Sequence, residues 1–115
     1  MRAEQYPGGL IAFAQADLFK AIAHPTRIRA LAVLSAGPRA IGEFQPDVGI
    51  ELAHLSQQVA VLLRAGLVAA RKEENSVVSS IKDPVLIDLL GATRQFIDNS
   101  LHGSRDLLSD LDPGQ

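Results

Sequence analysis

Residues 51–81 read ELAHLSQQVAVLLRAGLVAARKEENSVVSSI, and two periodicities follow each other in this stretch. At about 100° per residue, one side of a helix collects the apolar residues Leu52, Leu55, Val59, Leu62 and Leu63. Gly66 is expected to end this helix. The strand-compatible segments 67–71 and 77–81 then predict a short β-hairpin, with Asn75 able to adopt a positive φ in its turn. The stretch therefore predicts an amphipathic helix followed directly by a hairpin.

Two helices and a short third one are predicted before residue 51. Apolar residues recur with helical spacing over 10–23, until His24-Pro25 interrupts them, because proline disfavours helical backbone in the residue before it. The second helix then covers about 25–36, since proline suits a first helical turn. Its core candidates are Ile28, Leu31, Ala32 and Leu34. A short helix is expected over 41–45.

The chain after the hairpin predicts a long helix. Asp83-Pro84 supplies an N-cap and a first-turn proline. The apolar stripe beyond it holds Leu86, Leu90, Ile97 and Leu101. We expect His102-Gly103 to break this helix, so that a short sixth helix precedes an acidic tail. The chain is then one domain over residues 1–115, with a core at about 10–102 and a C-terminal helical extension and acidic tail at 103–115.

The predicted order is helix, helix, short helix, helix, hairpin, helix, which is that of a winged helix-turn-helix. This is a mainly α fold with a small β-hairpin. Its fourth helix buries an apolar side on the other helices and offers the outer side to a major groove, while the hairpin reaches phosphates or the minor groove. Winged helices also bind proteins, so the alternative is a protein–protein interaction module without specific DNA binding.

The composition excludes several classes of protein. A hydrophobic share of 47% with 21% charged residues indicates a globular chain rather than a disordered one. Cysteine is absent, which excludes disulfides and thiolate metal sites. No nucleophile motif, phosphate loop or paired carboxylate site is visible, so we expect no enzyme. Without a signal peptide or a run of about 18 apolar residues, we expect a cytoplasmic protein and no membrane partner.

The charge distribution favours a nucleic-acid partner more than the net charge does. A formal net charge of -2 argues mildly against binding to phosphates. Between Lys20 and Lys72, however, seven basic residues face three acidic ones, whereas the rest of the chain has four basic and ten acidic residues. A basic middle is consistent with one cationic face, and the alternative is an uneven distribution of surface charge that binds no partner.

Two motifs resemble those of the ArsR family of transcriptional regulators. Residues 18–31, LFKAIAHPTRIRAL, resemble the family's opening helix, its His-Pro-x-Arg motif and its second helix. Residues 55–68, LSQQVAVLLRAGLV, resemble its recognition-helix pattern Leu-Ser-x-x-Leu-x-x-Leu-x-x-Ala-Gly-Leu-Val. The resemblance covers about 17–97. It implies a homodimeric bacterial repressor or activator that contacts its partner through the first and last helices, reads an inverted repeat and responds to an inducer.

The chain departs from the family where many members bind metals. The stretch that holds a Cys-x-Cys pair in such members reads Gly42-Glu43-Phe44-Gln45, and the last helix has no paired histidines at the required spacing. Carboxylates at Glu43, Asp47 and Asp88 are scattered, so we expect no metal and no cofactor. The wing tip is Glu73-Glu74-Asn75 instead of the common Asp-Gly-Arg type, which weakens the expected phosphate contacts there.

The outer face of the fourth helix and the wing supply the candidate DNA contacts. Gln57 lies at the middle of that face, and Gln58 lies nearer its flank. Glutamine can pair bidentately with adenine, although both glutamines could simply keep the helix soluble. Arg71 ends the first wing strand within reach of phosphates, and Lys72 is beside it. His54 projects from the outer face, as a DNA contact or an idle surface residue. The candidate set is Arg39, His54, Ser56, Gln57, Gln58, Val61, Arg64, Arg71 and Lys72.

The first and last helices have more apolar surface than so small a domain can cover, which predicts a homodimer. The candidate interface residues are Ile11, Leu18, Leu86, Leu90 and Ile97. His24 is expected to cap the second helix rather than bind a ligand, and His102 to mark a helix end. The expected partners are a double-stranded DNA operator, a second copy of the chain and an unidentified small-molecule effector.

Overall fold

The computed structural model describes residues 9–43 and 50–111, with side chains described over 9–43 and 50–103. The chain forms two compact units, Met1–Asp83 and Pro84–Gln115. The first unit holds α1 (Gly9–Ile22), α2 (Pro25–Leu34), β1 (Arg39–Ala40), α3 (from residue 41, described as far as residue 43), α4 (Leu52–Arg64), β2 (Val68–Glu73) and β3 (Ser76–Ile81). The second holds α5 (Val85–Leu111). The winged helix-turn-helix order is confirmed, and the single domain stays a prediction.

The boundary between α1 and α2 is set by His24 and Pro25, as predicted. His24 has extended backbone (φ -157°, ψ 129°), and its Nδ1 accepts a hydrogen bond from the Thr26 backbone N–H at 3.0 Å. This satisfies one of the N–H groups that a helix start leaves without a partner. Because Nδ1 is the acceptor, it carries no proton in this arrangement. His24 is therefore the N-cap of α2.

The core lies where α4 packs against α2 and the sheet. Its largest fully buried side chains are Leu31, Leu55, Leu62 and Val68. The predicted buried side of α4 was too wide, because Leu52 and Leu63 are 44% and 43% exposed. Both lie about 50–70° from the centre of the stripe formed by Leu55, Val59 and Leu62, on its edge. In α2, the core candidate Ile28 is likewise 43% exposed and Ala32 is exposed.

The hairpin belongs to a three-stranded antiparallel sheet of order β1-β3-β2. Val68 pairs with Ile81 at one end of the hairpin and Glu73 with Ser76 at the other, as the predicted hairpin requires. Sequence reasoning missed β1, which adds Arg39 and Ala40 opposite Ser79 and Val78. Two residues carry no periodicity, so only their pairing identifies this strand. In the turn, Glu74 rather than Asn75 has the positive φ, of 52°.

The last helix runs further than predicted. It continues from Val85 through His102-Gly103 to Leu111, so the predicted break and the separate sixth helix are wrong. A helical glycine costs only about 1 kcal/mol relative to alanine, and no proline follows before Pro113. His102 Nδ1 lies 2.8 Å from the Asp98 backbone oxygen, one turn earlier in the same helix. Residues 112–115, the end of the acidic tail, lie outside the described residues.

No helix within the described part of the chain is long and apolar enough to cross a membrane.

Candidate nucleic-acid interface

The outward face of α4 carries the polar side chains that the sequence predicts for DNA contact. Counting about 100° per residue from the buried stripe, Gln57 and Arg64 lie at the centre of this face. Both are exposed, and so is Ser56 on one flank. The face therefore presents an amide, a guanidinium and a hydroxyl, groups that donate to phosphates and base edges. The helix sequence LAHLSQQVAVLLR contains no carboxylate to oppose them.

The other flank of α4 is more covered than predicted. His54, Gln58 and Val61 are half-buried there. The His54 ring does not stand freely on the outer face, because its centroid lies 5.9 Å from that of His24, with the rings tilted by 52°. This flank of α4 therefore meets the start of α2. The two imidazoles are 30 residues apart in the chain, so no local pattern indicates their contact.

Arg27 joins three helices at this flank. Its Nη1 donates to Gln58 Oε1 at 2.7 Å, and its Nε donates to the Ala21 backbone oxygen at 2.7 Å. A third, longer contact of 3.4 Å joins Nη2 to the Lys20 backbone oxygen. Arg27 therefore connects α2 to the end of α1 and to α4, and it orients the helix that carries the polar face. It was not among the candidate site residues, although the His-Pro-x-Arg motif contains it.

The wing holds its two cations on opposite faces of the sheet. Side chains alternate along a strand, so Lys72 shares a face with Val68 and Ala70, whereas Arg71 lies on the other face with Glu73. Val68 and Ala70 line a cleft with Ser56, Ala60 and other residues of α4, so Lys72 is on the α4 side. Arg71 Nη2 forms an ion pair with Glu73 Oε2 at 3.3 Å.

The formal charges near the wing tip balance, since Arg71 and Lys72 are followed directly by Glu73 and Glu74. The Arg71–Glu73 pair is open to water, with side chains 59% and 48% exposed, and such pairs are weak. Arg39, the remaining candidate cation, is half-buried in β1, where its Cα pairs with that of Ser79. The wing therefore offers less positive charge than a count of its basic residues indicates.

The candidate dimer residues differ in how much surface they offer. Ile11 and Ile97 are 69% and 56% exposed, and Leu18 and Leu90 are half-buried. Leu86 is only 8% exposed in the single chain, which leaves it little surface for a partner. Sequence reasoning did not select Phe96, which is 72% exposed on α5. Both α1 and α5 thus expose large apolar side chains that are in contact with water in a monomer.

The described residues contain no group of three His, Asp or Glu side chains placed to hold a metal ion. Glu43 and Asp88 are exposed on separate elements, and Asp47 lies outside the described residues. A cleft of about 240 Å³ between α4 and the sheet has a mostly apolar lining that includes Val59, Leu63 and Val77. Neither feature brings together groups for metal binding or acid–base chemistry.

The chain is similar to several bacterial regulators, although it matches no protein-family model. It is 43% identical over 101 residues to the HTH-type transcriptional regulator Rv0081 of Mycobacterium tuberculosis, covering 87% of this chain and 89% of that one. The crystal structure of Rv0081 has a TM-score of 0.74 at 41% identity, covering 82% of this chain and 95% of the other. This chain is also 30% identical over 77 residues to a biofilm growth-associated repressor of Xylella fastidiosa, covering 67% of this chain and 68% of that one.

A third similar protein is known in solution as a homodimer. The winged helix-turn-helix DNA-binding domain of Mb0332 from Mycobacterium bovis has a TM-score of 0.72 at 26% identity, covering 81% of this chain and 86% of that one. These relatives are transcriptional regulators rather than enzymes. The chain belongs to the ArsR family of winged helix-turn-helix transcriptional regulators, which bind DNA.

Proposed function

We propose that this regulator represses transcription by binding an inverted-repeat operator as a homodimer, with α4 of each protomer in a major groove. The observation that carries the proposal is the exposed, carboxylate-free face of α4 centred on Gln57, directly opposite its buried stripe. A helix that is anchored on one side and polar on the other can enter a groove without losing its core contacts. Ser56 and Arg64 lie on the same face and supply further donors.

Two further observations support a homodimeric repressor. The Xylella fastidiosa relative is named as a repressor, and the Mb0332 domain is homodimeric. In this chain, Ile11 on α1 and Phe96 and Ile97 on α5 are each more than half exposed. Covering such side chains with a second copy removes apolar surface from water, at about 25 cal/mol per Å². We assign the dimer contacts to these two helices.

We assign the main phosphate contact of the wing to Lys72. It lies on the face of the sheet that carries the cleft with α4, so it can approach the DNA backbone beside the groove that α4 enters. Arg71 lies on the opposite face and would have to leave Glu73 to reach a phosphate. Arg71 is therefore a weaker contact than its sequence position predicts.

The sequence restricts how an effector could act. With no cysteine in the chain, a thiolate metal site or a thiol switch cannot control DNA affinity. The described residues provide no alternative metal cluster. We propose that any effector is a small organic molecule, still to be identified.

The experiment is selection of bound fragments from genomic DNA, followed by salt titrations on the selected duplex and on a random duplex. We expect an inverted repeat among the selected fragments and a higher affinity for it than for random DNA. Affinity for both should fall steeply with salt, because phosphate contacts release counterions. If no sequence is enriched and binding to either duplex is absent at low salt, the chain is a protein-binding module instead. Sedimentation at micromolar concentration tests the dimer separately.

A further inference from the structure

We propose that Arg27 holds the side-chain amide of Gln58 in one orientation, so that Gln58 meets DNA as a hydrogen-bond donor. Its partner is then an acceptor, either a phosphate oxygen or the O6 and N7 edge of a guanine. The inference rests on the proposed function, because it concerns how α4 contacts an operator. It makes Gln58 a DNA-contacting residue that acts as a donor, and Arg27 a positioning residue.

The contacts of Arg27 fix the orientation of the amide. Two backbone oxygens at the end of α1, those of Ala21 and Lys20, accept from the guanidinium at 2.7 and 3.4 Å. A third bond, of 2.7 Å, runs from Nη1 to Gln58 Oε1. A guanidinium has five N–H donors and no acceptor. Only the oxygen end of the amide can therefore face Arg27, since turning the amide over would place two N–H groups against a cation.

This orientation decides which atoms Gln58 can offer to DNA. With Oε1 turned toward Arg27, the two N–H groups on Nε2 form the other end of the amide. Adenine presents an acceptor beside a donor in the major groove, which suits a glutamine that can use both ends. Guanine presents two acceptors there, and a phosphate presents acceptors only. Gln58 therefore favours guanine or phosphate over the adenine pairing that is usual for glutamine.

The position of Gln58 on α4 allows both kinds of acceptor. It lies about 100° around the helix from Gln57, on the half-buried flank rather than at the centre of the polar face. A side chain on the flank of a helix in the groove is close to the groove edge, where base edges and backbone phosphates are both within reach. The two acceptors need different chemical probes.

Atom-specific changes in the DNA test the contact. Operator duplexes carrying 7-deazaguanine at one position, or a methylphosphonate at one phosphate, are titrated with the wild type and with Gln58→Ala. We expect one such change to lower the DNA affinity of the wild type about 5-fold or more and to leave the affinity of Gln58→Ala unchanged. This difference between the two proteins is the coupling of Gln58 to its DNA acceptor. A guanine position or a phosphate then identifies the acceptor. Coupling to 7-deazaadenine instead, or no coupling at any position, would overturn the inference.

Variants of Arg27 test the positioning role. Arg27→Lys keeps a donor that can face Oε1, whereas Arg27→Met leaves the amide free to rotate. We expect the coupling of Gln58 to its DNA acceptor to persist in the lysine variant and to fall in the methionine variant. Equal coupling in both would show that Arg27 does not orient the amide.

A variant at Gln58 keeps the test independent of folding. Gln58→Glu tests the donor role of Gln58 without changing Arg27, because a carboxylate still pairs with Arg27 but has no donor for DNA. We expect this variant to unfold at the same temperature as the wild type or higher and to lose the coupling. A wild type that prefers no sequence would overturn the proposed function as well. Sequence-specific binding without the coupling would overturn this inference alone.

Discussion

Replacing the two neighbouring cations of the wing separately, as Lys72→Ala and Arg71→Ala, tests how the hairpin meets DNA. Both changes remove one positive charge from adjacent exposed positions of β2. They differ in the face of the sheet and in the partner, because Arg71 is held 3.3 Å from Glu73. We expect Lys72→Ala to weaken DNA binding and Arg71→Ala to change it little.

The magnitude follows from counterion release. One phosphate contact contributes about 0.9 to the slope of log affinity against log salt concentration. Over a fourfold rise in salt, from about 50 to 200 mM, that is about 3.5-fold in affinity per wing and about 12-fold for a dimer with two wings. The wild type should therefore lose about 12-fold more affinity across this range than Lys72→Ala does. Arg71 must first break an exposed ion pair worth about 0.2–1 kcal/mol, so its own contribution is smaller.

The assay is a fluorescence anisotropy titration of a random duplex at several salt concentrations, with both variants and the wild type. Thermal unfolding of each variant is the control, since neither exposed side chain contributes to the core. An Arg71→Ala slope that flattens as much as the Lys72→Ala slope would refute the assignment of the wing's two faces. The wing would then contact DNA from the side that carries Glu73.

Other changes test the groove contact, the core and the dimer. Gln57→Ala should remove about 1–3 kcal/mol of discrimination at one base pair per half-site and leave random-duplex affinity nearly unchanged, as compared by titration of both duplexes. Leu31 is fully buried, so Leu31→Ala should lower the free energy of unfolding, measured in urea, by about 2–5 kcal/mol. Ile28 lies on the same helix but is 43% exposed, so Ile28→Ala should lower that free energy distinctly less. Ile97→Asp should shift the sedimentation of the protein toward the monomer without unfolding it, and an unchanged dimer would exclude this part of α5 from the interface.

Much of the fold could be predicted because its signals are local. The spacing of Leu55, Val59 and Leu62 predicts which side of α4 is buried, since helical geometry alone places these residues together. His24-Pro25 predicts the break between two helices for a backbone reason that needs no distant partner. The polar tract between two strand-compatible segments predicts the hairpin. The central position of Gln57 on the outer face of α4 follows from the same helical geometry.

Features that depend on contacts between distant residues were decided only by the tertiary structure. No local pattern pairs Arg27 with Gln58, 31 positions later, or His24 with His54, 30 positions later. The edge residue Leu63 remains exposed because the neighbouring elements cover only a narrow part of α4. The helical path through Gly103 was also unexpected, because glycine permits a helix end without requiring one. Sequence periodicity thus determined the helices, the hairpin and the polar face of α4. Packing between these elements determined how the side chains of α4 are oriented, because hydrogen bonds and burial depend on neighbours in space.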